Sequence, residues 1–209
     1  MTISGDFETH LTIASPEAVE AGHLQMIAAE CGLKVTHILL DRGQRPSQPM
    51  LTRHSVGTLD DALAAARGLA ALLASSGLKV CRTKLEIDAI NPAAPSIEGE
   101  TKANPAEWYF EYHIKVLLPS LSDLEPLSKV AQRNASRLSR NAFLRRPDGQ
   151  EERFLTRRFY AAVRLDVFQA LTAVTADLQE NGFAVLDYEA EYVVFDSNVA
   201  LDAGWLDAS

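Results

Sequence analysis

Two short segments place an acid and an imidazole two residues apart: Phe7-Glu8-Thr9-His10-Leu11-Thr12-Ile13 and Phe110-Glu111-Tyr112-His113-Ile114-Lys115-Val116. In an extended strand, residues i and i+2 share a face and lie about 6.6–7 Å apart, so each Glu-x-His offers its two groups to a common ligand rather than to each other. Two chemistries suit such a field. In the first, His10 and His113 act as general acid and base with Glu8 and Glu111 beside them. Thr12, Lys115 and the pair Arg157-Arg158 then hold an anion, lysine as a point charge and arginine as a fork. In the second, His10, Glu86, His113 and Glu191 form a set of two imidazoles and two carboxylates acceptable to zinc, iron or manganese. A divalent metal is the one cofactor this reading implies.

These residues recur in register with the rest of the chain. His10 and His113 are offset by 103; Leu51-Thr52-Arg53-His54 recurs as Leu155-Thr156-Arg157-Arg158 at 104, and Leu73 to Val80 recurs as Leu178 to Val185 at 105. Three collinear echoes point to a duplicated unit. Residues 91–106, from Asn91-Pro92 to Asn104-Pro105, carry prolines, glycine and small polar residues without a period and read as a linker. The expected organisation is repeat 1 over 1–90, linker 91–106, repeat 2 over 107–198 and a tail over 199–209.

Within each half the hydrophobic period alternates between two and 3.6. Residues 7–13 alternate as a strand, and Ser15-Pro16 supplies a helix start for a face of Val19, His23, Met26 and Ile27, ended by Gly32. Leu33 to Asp41 and Met50 to Ser55 form a hairpin around Arg42 to Pro46. Thr58-Leu59-Asp60-Asp61 reads as a capping box before a helix whose apolar face is Ala62, Ala66, Leu69, Ala70 and Leu73. Leu78 to Asp88 closes the unit. The second half repeats the order with strands 108–118, 138–145, 152–160 and 183–195 and helices near 123–133 and 164–181. The expected fold class is α+β, a tandem pair of ferredoxin-like β-α-β-β-α-β units, with two four-stranded antiparallel sheets bearing helices on one face. The polar sides of the first and last strands fall on the face without helices, whether the halves bury those faces against each other or join edge to edge.

His10-Leu11-Thr12 resembles the H-x-T signature of the two-histidine phosphoesterases, which carry one such motif in each of two lobes; His113-Ile114-Lys115 keeps the histidine and replaces the hydroxyl. Duplicated modules with His and Glu on first and last strands are similar to those of glyoxalase-type proteins, whose modules lack the second helix predicted over 58–76. Glu111-Tyr112-His113-Ile114-Lys115 resembles the E-x-E-x-K strand of triphosphate tunnel enzymes except at the central carboxylate. Tyr188 to Asn198, with Asp202-Ala203-Gly204-Trp205, resembles an uncharacterised bacterial family of duplicated ferredoxin-like proteins with no assigned activity, which transfers no functional residue.

The net charge of −8 and pI near 5.1 argue against a surface given over wholly to nucleic acid. Even so, residues 129–158 carry a net +6, which leaves a local basic patch open to nucleic acid and favours a small anionic or phosphorylated ligand. No apolar run approaches the roughly 18 residues of a membrane helix, and Met1 to Phe7 is acidic rather than signal-like; the expectation is a cytoplasmic protein without a membrane partner, its oligomeric state open. Cys31 and Cys81 lack CxxC spacing and read as buried free thiols. His23 and His37 read as core histidines. No P-loop, GxGxxG or nucleophile elbow is present. Three functions follow: a phosphoester- or nucleotide-directed enzyme with a cleft between the repeats, a non-catalytic anion-binding or assembly module, and a metal-dependent enzyme.

Overall fold

Phe7, Leu11, Leu51, Leu85, Ile87, Phe110, Tyr112, Ile114 and Leu155 are all essentially inaccessible to solvent, and in every strand they alternate with polar side chains. One sheet surface is therefore apolar and needs a cover, and the other is polar. A computed structural model describes residues 3–14, 21–102, 104–144 and 146–206 and shows how both are satisfied. Eight strands, β1 (Ser4–Ile13), β2 (Lys34–Leu40), β3 (Ser47–Thr58), β4 (Val80–Asp88), β5 (Tyr109–Leu118), β6 (Arg137–Asn141), β7 (Glu151–Tyr160) and β8 (Val185–Asp196), form one closed antiparallel barrel in the order β1-β3-β2-β6-β7-β5-β8-β4. Helices α1 (Ala21–Glu30), α2 (Leu59–Ser75), α3 (Glu98–Thr101), α4 (Leu124–Arg133) and α5 (Arg164–Glu180) accompany them. Of these, α2 lies on β1, β3 and β4, and α5 on β5 and β8.

The expected pair of separate four-stranded sheets is thus incorrect. Each half does place its strands in the order fourth-first-third-second, but both edges of one sheet join both edges of the other. The joints are β4–β8, paired from Lys84↔Asp196 to Asp88↔Glu191, and β2–β6, paired from Ile38↔Asn141 to Leu40↔Ser139. Closure satisfies the unpaired backbone groups that each half would otherwise leave on two edges. It also turns the polar faces into the wall of an internal cavity.

The long helices follow their sequence signals. Thr58 Oγ1 accepts the Asp61 N–H at 3.2 Å while Asp61 Oδ2 accepts the Thr58 N–H at 3.1 Å, the reciprocal box predicted. Ala62, Ala66, Leu69 and Leu73 are the buried face of α2, and Val167, Leu171, Val174 and Leu178 that of α5. Each large aliphatic group so buried stabilises by about 1.5–3 kcal/mol. Both helices end at glycines with φ near +80°, Gly77 and Gly182, where a side chain would be strained.

Three local expectations are corrected. In α1 the buried residues are Leu24, Ile27 and Ala28, whereas Met26 and His23 are exposed, so His23 is no core histidine. Val19 and the Ser15-Pro16 start lie outside the described residues. The strand expected over 138–145 ends at Asn141, whose side-chain oxygen accepts the Phe143 N–H at 3.0 Å and turns the chain away.

Candidate functional site

The barrel interior holds a cavity of about 410 Å³ lined by Glu8, His10, Thr52, Lys84, Glu111, His113, Lys115, Thr156 and Glu191 among others. The two repeats contribute to it as near-equivalents. His10 Nδ1 lies 2.8 Å from Thr52 Oγ1, and His113 Nδ1 lies 2.8 Å from Thr156 Oγ1, each threonine standing opposite its histidine in the first-to-third strand register. At His113, with threonine as acceptor, the proton sits on Nδ1 and the Nε2 lone pair turns toward the lumen.

What lies at Nε2 differs between the halves. His10 Nε2 is 2.7 Å from Glu86 Oε2 and 3.7 Å from Glu8 Oε1, whereas His113 Nε2 has carboxylates of Glu111 and Glu191 only at 3.7 Å. His113 is therefore the imidazole with a nitrogen to spare. Lys84 breaks the symmetry, because Glu189 stands at its place in the second repeat. Its ammonium donates to Glu111 Oε2 at 2.9 Å and lies 2.6 Å from Glu86 Oε1. Arg158 donates twice to Glu111 Oε1, at 2.6 and 2.9 Å. Arg82 is held by Asp196, with the Tyr109 hydroxyl completing that carboxylate at 2.5 Å.

Glu191 makes no ion pair with a lysine or arginine among the described residues, whereas its neighbour Glu86 has Lys84 beside it. Glu86 is 1% exposed, and Lys84 and His10 reach its two oxygens at 2.6 and 2.7 Å. Donor atoms of Glu86, His113 and Glu191 all lie within 4.8 Å of one another. Burial would raise the Glu86 carboxyl, but Lys84 and His10 bring it down to about 2. Burial together with the charge on Glu86 pushes Glu191 well above the usual carboxylate range. For Glu111, Lys84 and Arg158 outweigh burial and hold it well below. Burial lowers His113, so its imidazole is neutral at physiological pH. Glu86, Glu191 and a neutral imidazole converge on one point and could hold a divalent ion, with Lys84 on the far oxygen of Glu86.

No family model matches the chain, and no curated protein does. Solved structures similar to the chain include a mutant chlorite dismutase from Candidatus Nitrospira defluvii, at 12% identity over 96% of this chain and 94% of that one, with a TM-score of 0.29, and a protein described as a candidate monooxygenase from Fusobacterium nucleatum subsp. nucleatum, at 10% identity over 100% and 99%, with a TM-score of 0.30. Likeness at that level carries no argument about fold or chemistry, and the site rests on its own geometry.

Among the residues proposed from sequence, Glu8, His10, Thr12, Glu111, His113, Lys115, Glu86, Glu191 and Arg158 all belong to the lumen or its ion network. Arg157 does not. It points outward over the Phe159 ring at 4.5 Å, on the opposite phase of β7 from Arg158. Arg158 in turn is committed to Glu111 and Asp202, so among the described residues the lining lysines and arginines without an ion pair are Lys34 and Lys115. His37 is only partly buried and bonds Ser47 Oγ at 2.8 Å. Sequence reading missed Thr52 and Thr156, although both stand in the echoed Leu-Thr-Arg segments that could have revealed them. It also missed Asp196 and Asp202. Among the described residues no helix is long and apolar enough to cross a membrane.

Proposed function

We propose that the lumen is the active site of a metal-dependent enzyme acting on a small phosphorylated substrate. The observation that carries this reading is the convergence of Glu86, His113 and Glu191, with donor atoms within 4.8 Å, on the wall of a 410 Å³ cavity. Donors on one zinc or manganese ion at about 2.0–2.2 Å lie at most about 4.4 Å apart, so small side-chain movements complete the site. His10, whose Nε2 abuts Glu86, either joins as a fourth ligand or orients that carboxylate. An ion held there would supply the countercharge that Glu191 lacks. When bound, it would polarise a phosphoryl oxygen and lower the pKa of a bound water. Lys34 and Lys115, the lining cations not engaged by carboxylates, neutralise the remaining phosphate charge. Hydrolysis takes up one water and breaks the ester P–O bond. The attacking water gives its proton to solvent, and the leaving alkoxide takes one from solvent.

The test is phosphate release from a panel of phosphomonoesters and phosphodiesters by protein loaded with zinc or manganese. Activity lost on chelation, and reduced more than about 100-fold in His113→Gln, is the expected result, since loss of outer-shell partners alone costs about 10–100-fold. Protein that binds metal and phosphoester but turns over no member of the panel would assign the lumen to binding instead of catalysis.

A further inference from the structure

The chain beyond β8 lies outside the duplicated unit and still reaches the lumen. A single 3-10 turn, Val199–Asp202, crosses one end of the barrel, and its Leu201 and Asp202 are buried together with the following Trp205. They are tied to strands on several sides: Asn198 Nδ2 donates to the Cys81 carbonyl at 3.0 Å, Gln44 N to the Ala203 carbonyl at 3.0 Å, and Trp205 Nε1 to the Leu138 carbonyl at 3.0 Å. Gly43 and Gly204 approach so closely that a Cβ on Gly43 would sit 3.2 Å from Trp205 Cβ. Asp202 and Trp205 thus line the cavity from that end.

Asp202 is 2% exposed and has three partners. Its Oδ2 accepts from Arg158 Nη2 at 2.8 Å and lies 3.0 Å from Arg82 Nη1, while Oδ1 accepts from Gln48 Nε2 at 3.1 Å. One arginine comes from each repeat. From Arg158 the contacts run without a gap through Glu111 and Lys84 to Glu86.

We propose that Asp202 is a positioning residue for the metal centre: by clamping Arg158 and Arg82 it fixes Glu111 and Lys84, and through them the direction in which Glu86 faces His113 and Glu191. This deepens the metal reading and rests on it. Arg82 retains the Asp196 carboxylate when Asp202 is neutralised, but Arg158 retains Glu111 as its one carboxylate, with its guanidinium over the Tyr109 ring. An arginine held at one end draws that carboxylate away from Lys84, and Lys84 then turns more fully onto Glu86 and competes with the ion.

The full chain is compared with Asp202→Asn, Asp202→Glu and Gln48→Leu, the last leaving the Asp202 charge in place but removing its orienting amide, so that a foldable variant remains if the first is unstable. Zinc affinity is measured by competition with a chromophoric chelator. In parallel, imidazole nitrogen NMR shifts of His10 and His113 are recorded on metal-free protein. Asp202→Asn is expected to weaken zinc by about 10–100-fold, Gln48→Leu less, and Asp202→Glu to recover most of the loss, with the His113 shifts moving in the same order. Unchanged affinity and unchanged shifts in folded variants, with only the melting temperature lowered, would overturn the proposal and leave Asp202 a structural plug. Shifts that move in a protein where even the wild type binds no zinc would overturn the metal reading while sustaining the positioning role.

Discussion

Asp196 owes its place in the lumen to a single irregularity. The register between β4 and β8 runs Leu85↔Phe195 and then Glu86↔Val193, so Val194 is an extra residue; the bulge reverses the alternation and turns Asp196 inward to Arg82. Burial would raise its carboxyl, but hydrogen bonds from Arg82 and Tyr109 outweigh that and hold it below its ordinary value. A folded pKa below the unfolded value stabilises the fold above about pH 3.9, and the contribution is lost as pH falls through the lowered value. Asp196→Asn should therefore cost about 1.5–3 kcal/mol at neutral pH, with the gap from wild type closing in acid. Denaturant unfolding at both pH values checks this; a gap independent of pH would show that the loss is one of packing. The same bulge explains why sequence alternation carried the acidic stripe only as far as Glu191.

At the scale of elements, the two joints of the barrel are unequal. Five residue pairs close β4 against β8, but only three close β2 against β6, where Asn141 ends the shorter strand. Fewer cross-strand bonds mean a lower free energy of local opening. Amide hydrogen exchange should find the β2–β6 joint, around Ile38–Leu40, opening well before the β4–β8 joint around Lys84–Asp88. Equal protection at both would contradict that ordering. The strands and long helices themselves were legible because each carries a local signal: the Thr58–Asp61 box, Gly77 and Gly182 after the helices, and period-two alternation in β1 and β5. The first helix was misread because its apolar residues fit two overlapping faces, and only packing against β2 selects Leu24, Ile27 and Ala28 over His23 and Met26.

For the whole molecule, the sequence carried the content of the polar faces but not their enclosure. Alternation in β1, β4, β5 and β8 placed Glu8, His10, Lys84, Glu86, Glu111, His113 and Glu191 on one side. Whether two sheets stack, separate or close is decided by edge pairing between residues some 100 positions apart, for which no local pattern exists. Closure is also what makes the chemistry, since acids tolerable on a wetted face become a costly cluster inside a barrel unless a proton or an ion joins them. The central claim is that the joining group is a metal ion. It is tested most directly by anomalous diffraction from crystals grown with zinc or manganese. The account predicts one strong peak inside the barrel at about 2.0–2.2 Å from donors of Glu86, His113 and Glu191. A lumen without a peak, with Glu191 and Glu86 still drawn together by a shared proton, would contradict it.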